Sequence, residues 1–305
     1  MTDDSDKNDL PERCGFVAII GAPNAGKSTI VNRLVGSKVS IVTHKVQTTR
    51  TRLRGIALSG VSQIILVDTP GIFEPKKTLE QAMVGSAWAG VDDADLVVLM
   101  VDVKTGLTEQ DEHVIEGLEA AGKSAILVLN KIDTVKRDSL LELADQCNKR
   151  FAFAATFLVS ALTGDGLDEL KDHLAANVPV GNWLYPEDQI ADLPLRMLAA
   201  EITREKLFLR LHQELPYAST VETEQWKEQK NGSVRVEQVI FVERESQRKI
   251  VLGKGGQTIK AIGRAAREEL QSFIEQKVHL FLFVKVREKW SEDPERYRQM
   301  GLELP

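Results

Sequence analysis

Gly21-Ala22-Pro23-Asn24-Ala25-Gly26-Lys27-Ser28 fits G-x-x-x-x-G-K-[ST], the pattern of a loop that grips phosphates. Phe16-Val17-Ala18-Ile19-Ile20 just before it has the length and apolarity of a buried strand. Thr29-Ile30-Val31-Asn32-Arg33-Leu34-Val35 just after it reads as the start of a helix. Strand, glycine loop and helix together aim backbone N–H groups and a helix N-terminus at a phosphate chain. Lys27 would reach the β and γ phosphates, and Ser28 would supply a hydroxyl to Mg²⁺. Gly21, Asn24, Ala25, Gly26, Lys27, Ser28 and Thr29 are therefore the candidate phosphate contacts. With glycine near 7% of residues, an accidental match in a chain this long has a probability on the order of 1%.

The composition sets the frame for this loop. The 305 residues are enough for two domains. Hydrophobic residues make up 43% and charged residues 28%, as in ordinary globular proteins. The two cysteines, Cys14 and Cys147, lie far apart and form no metal-spacing motif, which points to a reducing, cytosolic compartment. The longest apolar runs, Leu96–Val101, Ala125–Leu129 and Leu280–Val284, are of strand length and far short of the ~20 residues that span a bilayer. The polar, acidic start Met1–Arg13 is no secretory signal and reads as a disordered tail. Net charge is −6, but Lys230–Lys289 holds 13 Lys and Arg against 7 Glu, a net of +6, so the remainder carries −12. Such asymmetry suggests a nucleic-acid surface in the basic part.

From about residue 15 to 178, apolar runs alternate with helical patterns. The runs are Phe16–Ile20, Ile56–Leu58, Gln63–Asp68, Leu96–Asp102, Ala125–Asn130 and Phe157–Ser160. Helical stretches such as Glu109–Ala121 and Leu140–Asn148 fall between most of them. The pattern predicts an α/β domain, a mostly parallel sheet with helices on both faces and its ligand outside the carboxyl ends of the strands. Near Val178–Pro186 proline, glycine and aromatics replace the alternation, which marks a junction. Beyond it the order is α-β-β-α-α-β: helix Pro194–Glu214, strand Tyr217–Glu228, a hairpin at Asn231-Gly232, strand Ser233–Glu243, short helix Gln247–Val251, helix Gln257–Glu275 and strand Val278–Val286.

Three further motifs sit at strand ends. Asp68-Thr69-Pro70-Gly71 follows Gln63–Val67; its Asp can hold Mg²⁺ through water, and Gly71 lets its N–H approach a γ-phosphate. Asn130-Lys131-Ile132-Asp133 follows Ala125–Leu129. A buried carboxylate there can accept from both N1 and the exocyclic amine of guanine, and would be left unpaired against adenine. Ser160-Ala161-Leu162 follows the last strand and can offer a backbone N–H to guanine O6.

In the basic part, Gly253-Lys254-Gly255-Gly256 satisfies the GXXG loop of KH domains, which clamps the backbone of about four nucleotides. It lies between two helices, and the element order resembles the type II KH fold. Arg244, Arg248, Lys249, Lys254 and Lys260 are the candidate RNA contacts, while Ile259 and Ile262 belong to the core beneath them.

On these motifs the chain, over about residues 14–290, resembles the Era family, bacterial Ras-like GTPases with a C-terminal KH domain. The resemblance implies a P-loop GTPase domain followed by a smaller α+β type II KH domain, with GTP/GDP and Mg²⁺ as ligands. It assigns guanine specificity to Asn130 and Asp133, with Lys131 lining the base. It marks Gln47-Thr48-Thr49-Arg50-Thr51 as the first switch, where Thr49 or its neighbour Thr48 closes on Mg²⁺. The catalytic set is then Lys27, Thr49 and Gly71, the metal set Ser28, Thr49 and Asp68. None of Ile72, Phe73, Glu74 and Pro75 is the glutamine that orients water in Ras-type enzymes, so slow intrinsic hydrolysis is implied, helped by a partner or a monovalent cation. Asn24 is the phosphate-loop residue through which K⁺ would act. The family's partners are the 3′ end of small-subunit ribosomal RNA and the small ribosomal subunit, not DNA. Its location is cytoplasmic, with peripheral association at the inner face of the cell membrane.

The expected boundaries are a disordered tail 1–13, a GTPase domain 14–180, a linker 181–192, a KH domain 193–290 and a C-terminal tail 291–305. Two other functions compete: an RNA-tethering scaffold with little nucleotide turnover, and a membrane-associated cell-cycle regulator. No amphipathic lipid-binding helix favours the latter.

Overall fold

The computed structural model describes residues 11–303 apart from Val46, Gln213 and Glu214, with the side chains of Arg298 and Gln299 also left aside. The chain divides into two compact units. The first holds the residues up to Ser40 together with Thr49–Asp192; the second holds Ile41–Thr48 and the residues from Leu193 onward.

The first unit runs β1 (Arg13–Gly21), α1 (Lys27–Val35), β2 (Leu53–Ser59), β3 (Ser62–Asp68), α2 (Thr78–Asp92), β4 (Leu96–Asp102), α3 (Glu109–Ala120), β5 (Ile126–Asn130), α4 (Arg137–Arg150), β6 (Thr156–Val159) and α5 (Leu167–Asn177). Its six-stranded sheet has the order β2-β3-β1-β4-β5-β6. Every neighbouring pair is parallel except β2 with β3, which is antiparallel. Successive side chains on a strand face opposite ways. Val17 and Ile19 of β1 therefore join Ile30 and Leu34 of α1 and Leu170 and Leu174 of α5 on one face. Ala18 and Ile20 join Val91 of α2, Leu118 of α3 and Leu140 of α4 on the other. Burial on both faces is why the central strands read as unbroken apolar runs. The topology delivers Gly21, Asp68, Asn130 and Val159 to the same edge of the sheet, at the carboxyl ends of four of its five parallel strands.

The expected linker 181–192 is instead packed on this unit. β2 is an edge strand whose outward backbone groups need partners. Ile56 N–H donates to Ile190 O at 2.9 Å, Asp192 N–H donates to Arg54 O at 3.0 Å, and Ala191 bridges Gly55. The side chain of Gln63, fully buried, adds a second attachment: its Oε1 accepts from Leu184 N–H and Tyr185 N–H, and its Nε2 donates to Tyr185 O. At the other end, residues 1–10 of the expected tail lie outside the described residues, whereas Arg13 is already in β1 and donates to Val178 O at 2.7 Å.

The second unit runs α6 (Leu195–Arg210), β7 (Ser219–Glu228), β8 (Val234–Val242), α7 (Glu245–Leu252), α8 (Gln257–Ile274) and β9 (Val278–Val286), which is the expected α-β-β-α-α-β order. The helix expected to reach Glu214 stops at Arg210, and Glu214 itself lies outside the described residues. β7 and β8 form the antiparallel hairpin, turned at Gly232 in the left-handed region (φ 75°), and β9 pairs parallel with β8. Leu207, Phe208, Ile240, Val251 and Ile262 pack together between the helices and the sheet.

The expected C-terminal tail also packs. After β9 come a turn at Trp290–Glu292 and α9 (Pro294–Gln299). Trp290, Tyr297 and Leu302 are buried, and the Trp290 indole N–H donates to Ala218 O at 3.1 Å. The Arg296 guanidinium stacks 3.9 Å from the centre of the Phe241 ring on the sheet. Trp290→Ala should therefore destabilise the second unit by roughly 3–5 kcal/mol. Urea unfolding of the intact chain, followed by far-ultraviolet circular dichroism, would show that unit melting earlier; an unmoved transition would mean the tail contributes nothing.

Candidate functional site

Gly26 lies in the left-handed region (φ 102°), and a Cβ on it would come within 2.2 Å of Asn130 Nδ2. Only glycine fits there, and the fit lets α1 begin immediately at Lys27. The Lys27 ammonium is buried inside the loop and donates to Gly21 O at 3.0 Å and Ala22 O at 2.8 Å. Burial pulls its pKa down to about 8, against the opposing charges of Asp68 and Asp111.

Beside it three oxygens converge. Ser28 Oγ lies 2.7 Å from Asp68 Oδ2 and 2.8 Å from Thr49 Oγ1, and Thr49 Oγ1 lies 3.3 Å from Asp68 Oδ2. Asp68, at the end of β3, is wholly buried; burial raises its pKa, while the Ser28 hydroxyl and the Lys27 charge oppose that shift. Its Oδ1 is buried with no hydrogen-bond partner. Of the two threonines considered for this position, Thr49 is the one brought here. Thr48 turns away: its hydroxyl meets Thr43 Oγ1 at 2.6 Å and Lys45 O at 2.7 Å.

The remainder of Asp68–Gly71 is used differently from its neighbours. The Thr69 hydroxyl donates to Ile19 O at 2.7 Å and fastens the strand end to β1. Gly71 sits against Pro23 of the phosphate loop, and the next N–H, that of Ile72, donates to Gly21 O at 3.2 Å. Ile72 is fully buried in the core with Ala87 and Leu99, so its side chain is withdrawn from the loop's open side.

At the base end Asn130 is buried and acts as a strut. Its Nδ2 donates to Ala25 O at 2.7 Å, and its Oδ1 accepts from Ala161 N–H at 3.0 Å. Lys131 (φ 70°) reaches back to Asn24 O at 2.8 Å and pairs with Asp102 Oδ2 at 2.5 Å. Asp133 stands in a short turn, Ile132–Thr134, and its Oδ1 accepts from Ser160 Oγ at 2.5 Å. It is exposed rather than buried, as a carboxylate at the rim of an open loop cluster must be until something covers it. Leu162 is also largely exposed.

The expected first switch is split. Thr49, Arg50 and Thr51 belong to the first unit, Gln47 and Thr48 to the second. Within the second unit α6 holds this short insert. Val42 N–H donates to Glu205 Oε1 at 2.9 Å, Arg204 donates to Thr48 O, and Lys45 Nζ donates to Phe208 O and Leu211 O. Arg204 and Glu205 are buried charges in an amphipathic helix. Polar residues on a face that is otherwise apolar were the signal for this function, and the motif reading passed over them.

The second cluster lies in the second unit. Gly253–Gly256 links α7 to α8, and Gly253, Gly255 and Gly256 all have positive φ. At Gly253 a Cβ would meet Thr258 Oγ1 at 2.1 Å. Lys249, Lys254 and Lys260 are exposed in or beside the loop, Arg244 is exposed at the opposite, N-terminal end of α7, and Arg248 is paired with Glu245 at 3.1 Å. Ile262 is buried and Ile259 packs against the same core, as expected.

Two family models match the chain: a 50S ribosome-binding GTPase over residues 16–131, and a KH domain over residues 214–291. GTPase Era of Rhizobium meliloti (strain 1021) is 61% identical over 308 residues, covering 100% of this chain and 98% of its own length. GTPase Era of Afipia carboxidovorans is 64% identical over 97% of this chain and 96% of its own. Two solved Era structures superpose along almost the whole chain. One, in complex with MgGDPNP and nucleotides 1506–1542 of 16S ribosomal RNA, has a TM-score of 0.91 at 39% identity and covers 95% of this chain and 99% of its own. The other, from Aquifex aeolicus and bound to GDP·AlF4⁻, has a TM-score of 0.90 at the same identity and coverage. With a phosphate loop, its strand-end partners and a GXXG loop all in place along a sequence this similar, the chain belongs to the Era family of GTPases, a P-loop GTPase fold followed by a KH domain.

Proposed function

We propose that this chain is a GTP-binding and GTP-hydrolysing switch that binds the 3′ region of small-subunit ribosomal RNA through its KH domain and assists assembly of the small ribosomal subunit. The observation that carries the reading is the convergence of Ser28, Thr49 and Asp68 beside the buried Lys27. An all-oxygen set suits a hard cation, and the unpartnered Asp68 Oδ1 gives a water or ion a second point of attachment. Ser28 and Thr49 would hold Mg²⁺, with Asp68 acting through water. When bound, the ion would neutralise charge on the β and γ phosphates.

The chain's own residues account for the remainder. Lys27 can exchange its two carbonyl partners for phosphate oxygens, which are stronger, charged acceptors. Gly71 carries no side chain between its N–H and the phosphate loop. Lys27, Thr49 and Gly71 thus form the proposed catalytic set, and none of them polarises water. Ile72 is in the core, so a water-orienting group must come from a partner or a cation. Asp133, open to solvent, can accept from both N1 and the amine of guanine; Lys131 would flank the base and Ser160–Leu162 would close over it.

RNA binding is supported by the Era structure that holds a 16S ribosomal RNA fragment. The positive-φ glycines keep the Gly253–Gly256 backbone bare, so phosphates can approach it, and Lys254, Lys249, Lys260 and Arg244 add exposed positive charge. Arg248 contributes less while it is tied to Glu245. No helix among the described residues is long and apolar enough to cross a membrane. The proposed setting is the cytoplasm, with any contact at the membrane's inner face peripheral.

Asp133→Asn should move nucleotide preference from guanine toward xanthine, whose O2 accepts a hydrogen bond where guanine donates one; competition against labelled GDP measures it, and unaltered guanine selectivity would overturn the assignment. Gly255 has open space where a side chain would go, and although its positive φ (60°) strains most side chains, Asp is among those that tolerate this region, so Gly255→Asp places a negative charge in the RNA loop. It should weaken binding of a 3′ ribosomal RNA oligonucleotide at least about tenfold while GDP affinity stays the same; equal RNA affinity removes the loop from the interface. Hydrolysis measured in K⁺ and then in Na⁺ at equal ionic strength should be faster in K⁺ if Asn24 helps hold the cation, and equal rates would remove that idea.

A further inference from the structure

Arg33 lies in the last turn of α1, the helix that begins at Lys27. Its Nε donates to Ala161 O at 3.2 Å and its Nη2 donates to Leu162 O. These are the carbonyls of two successive peptides in the Ser160–Leu162 loop, and the fork of one guanidinium takes both. We propose that Arg33 is a positioning residue for base recognition: by holding these two carbonyls it orients the backbone N–H that meets the 6-oxo group of the purine. The inference rests on the guanine reading of this site and adds a residue to it.

The geometry follows from the planarity of the peptide bond. In a trans peptide the C=O and the following N–H point in opposite directions. Fixing the Ala161 carbonyl therefore fixes the Leu162 N–H, pointing away from Arg33. The other groups of the loop are already committed. Ser160 N–H donates to Asp165 O at 2.9 Å, and Gly164 N–H donates to Ser160 O at 2.8 Å. Ala161 N–H goes to Asn130 Oδ1, and Thr163 N–H to Ser160 Oγ at 3.1 Å. Leu162 N–H makes no hydrogen bond to a described residue, and the Leu162 side chain, 69% exposed, gives this peptide no packing anchor. Arg33 is what remains to hold it. One helix thus serves both ends of the nucleotide, with Lys27 and Ser28 in its first turn and Arg33 in its last.

The test uses the intact protein and compares GDP with 6-thio-GDP. The thio analogue keeps both donors for Asp133 and the whole diphosphate, but replaces the 6-oxygen with a much weaker acceptor. The unaltered protein should favour GDP. Arg33→Met should weaken GDP about five- to tenfold, as for a lost neutral hydrogen bond from the loop N–H to the 6-oxygen, and leave 6-thio-GDP nearly unchanged, so that the ratio narrows. Arg33→Lys, which keeps the charge but not the fork, should fall between. If Arg33→Met lowers both ligands equally, or neither, the residue is only a surface or stability contact and the proposal is overturned. If the unaltered protein fails to favour GDP over both 6-thio-GDP and ADP, the guanine reading fails, and the Arg33 proposal with it.

Discussion

The nucleotide end of this molecule depends on one buried amide. Asn130 leaves the carboxyl end of β5 and joins two loops that are distant in sequence: its Nδ2 holds Ala25 O in the phosphate loop and its Oδ1 holds Ala161 N–H in the last loop. Both of its polar functions are satisfied without water, in a place where an unmet group would cost about 1–3 kcal/mol. The strut also explains Gly26. A methyl group there would occupy the position of the amide nitrogen, so the phosphate loop must be bare where the strut crosses it. The phosphate loop and the last loop are in this way tied together by one side chain of the sheet, and Arg33 of α1 adds a second tie.

The chemistry at the other side of the loop has the opposite character. Ser28, Thr49 and Asp68 form a tight triangle, yet Asp68 keeps a buried oxygen with no partner and Lys27 keeps its charge at the expense of burial. Each of these is unfavourable for the polypeptide alone and, on the proposed reading, would be relieved by an anion with a hard cation beside it. Burial of charge that only a ligand can complete is how a site makes ligand binding and local order the same event. Thr49 is the member of the triangle nearest the boundary between the units, since the residue before it belongs to the other unit. The segment before Thr49 belongs to the second unit, where α6 holds it through Arg204 and Glu205.

The sheet and the motifs were legible in the sequence because both leave local marks. Central parallel strands are buried on two faces and so appear as apolar runs, and each motif sits where such a run ends. The α-β-β-α-α-β order of the second unit was legible for the same reason, aided by Asn231-Gly232. Three things were not. The segment 181–192 looked like a linker because its proline, glycine and aromatics fit no period; its order comes from Gln63 and from the open edge of β2, which are distant in sequence. The C-terminal tail is anchored by Trp290 and Tyr297, single side chains that leave no periodic trace. Thr48 and Thr49 were indistinguishable as neighbours of the same type, and only the path of the chain separates them.

Ile72 shows how an inference from a residue type can assume the wrong orientation for its side chain. The absence of glutamine after Gly71 argues for slow hydrolysis, and an apolar residue at that place reads as one that faces the water and cannot hold it. In the structure Ile72 does not face the loop's open side at all; it closes the core between β1, β4 and α2, while its N–H ties this loop to Gly21. A glutamine at position 72 would accordingly have to bury its amide in an apolar cluster, at a cost of about 1–3 kcal/mol without a partner, before it could act on any water. The constraint is one of packing, and it binds more tightly than the lack of a suitable side chain. On the proposed reading, an activating group would enter from outside this apolar cluster, and reliance on a partner or a cation would follow from how the loop is fastened.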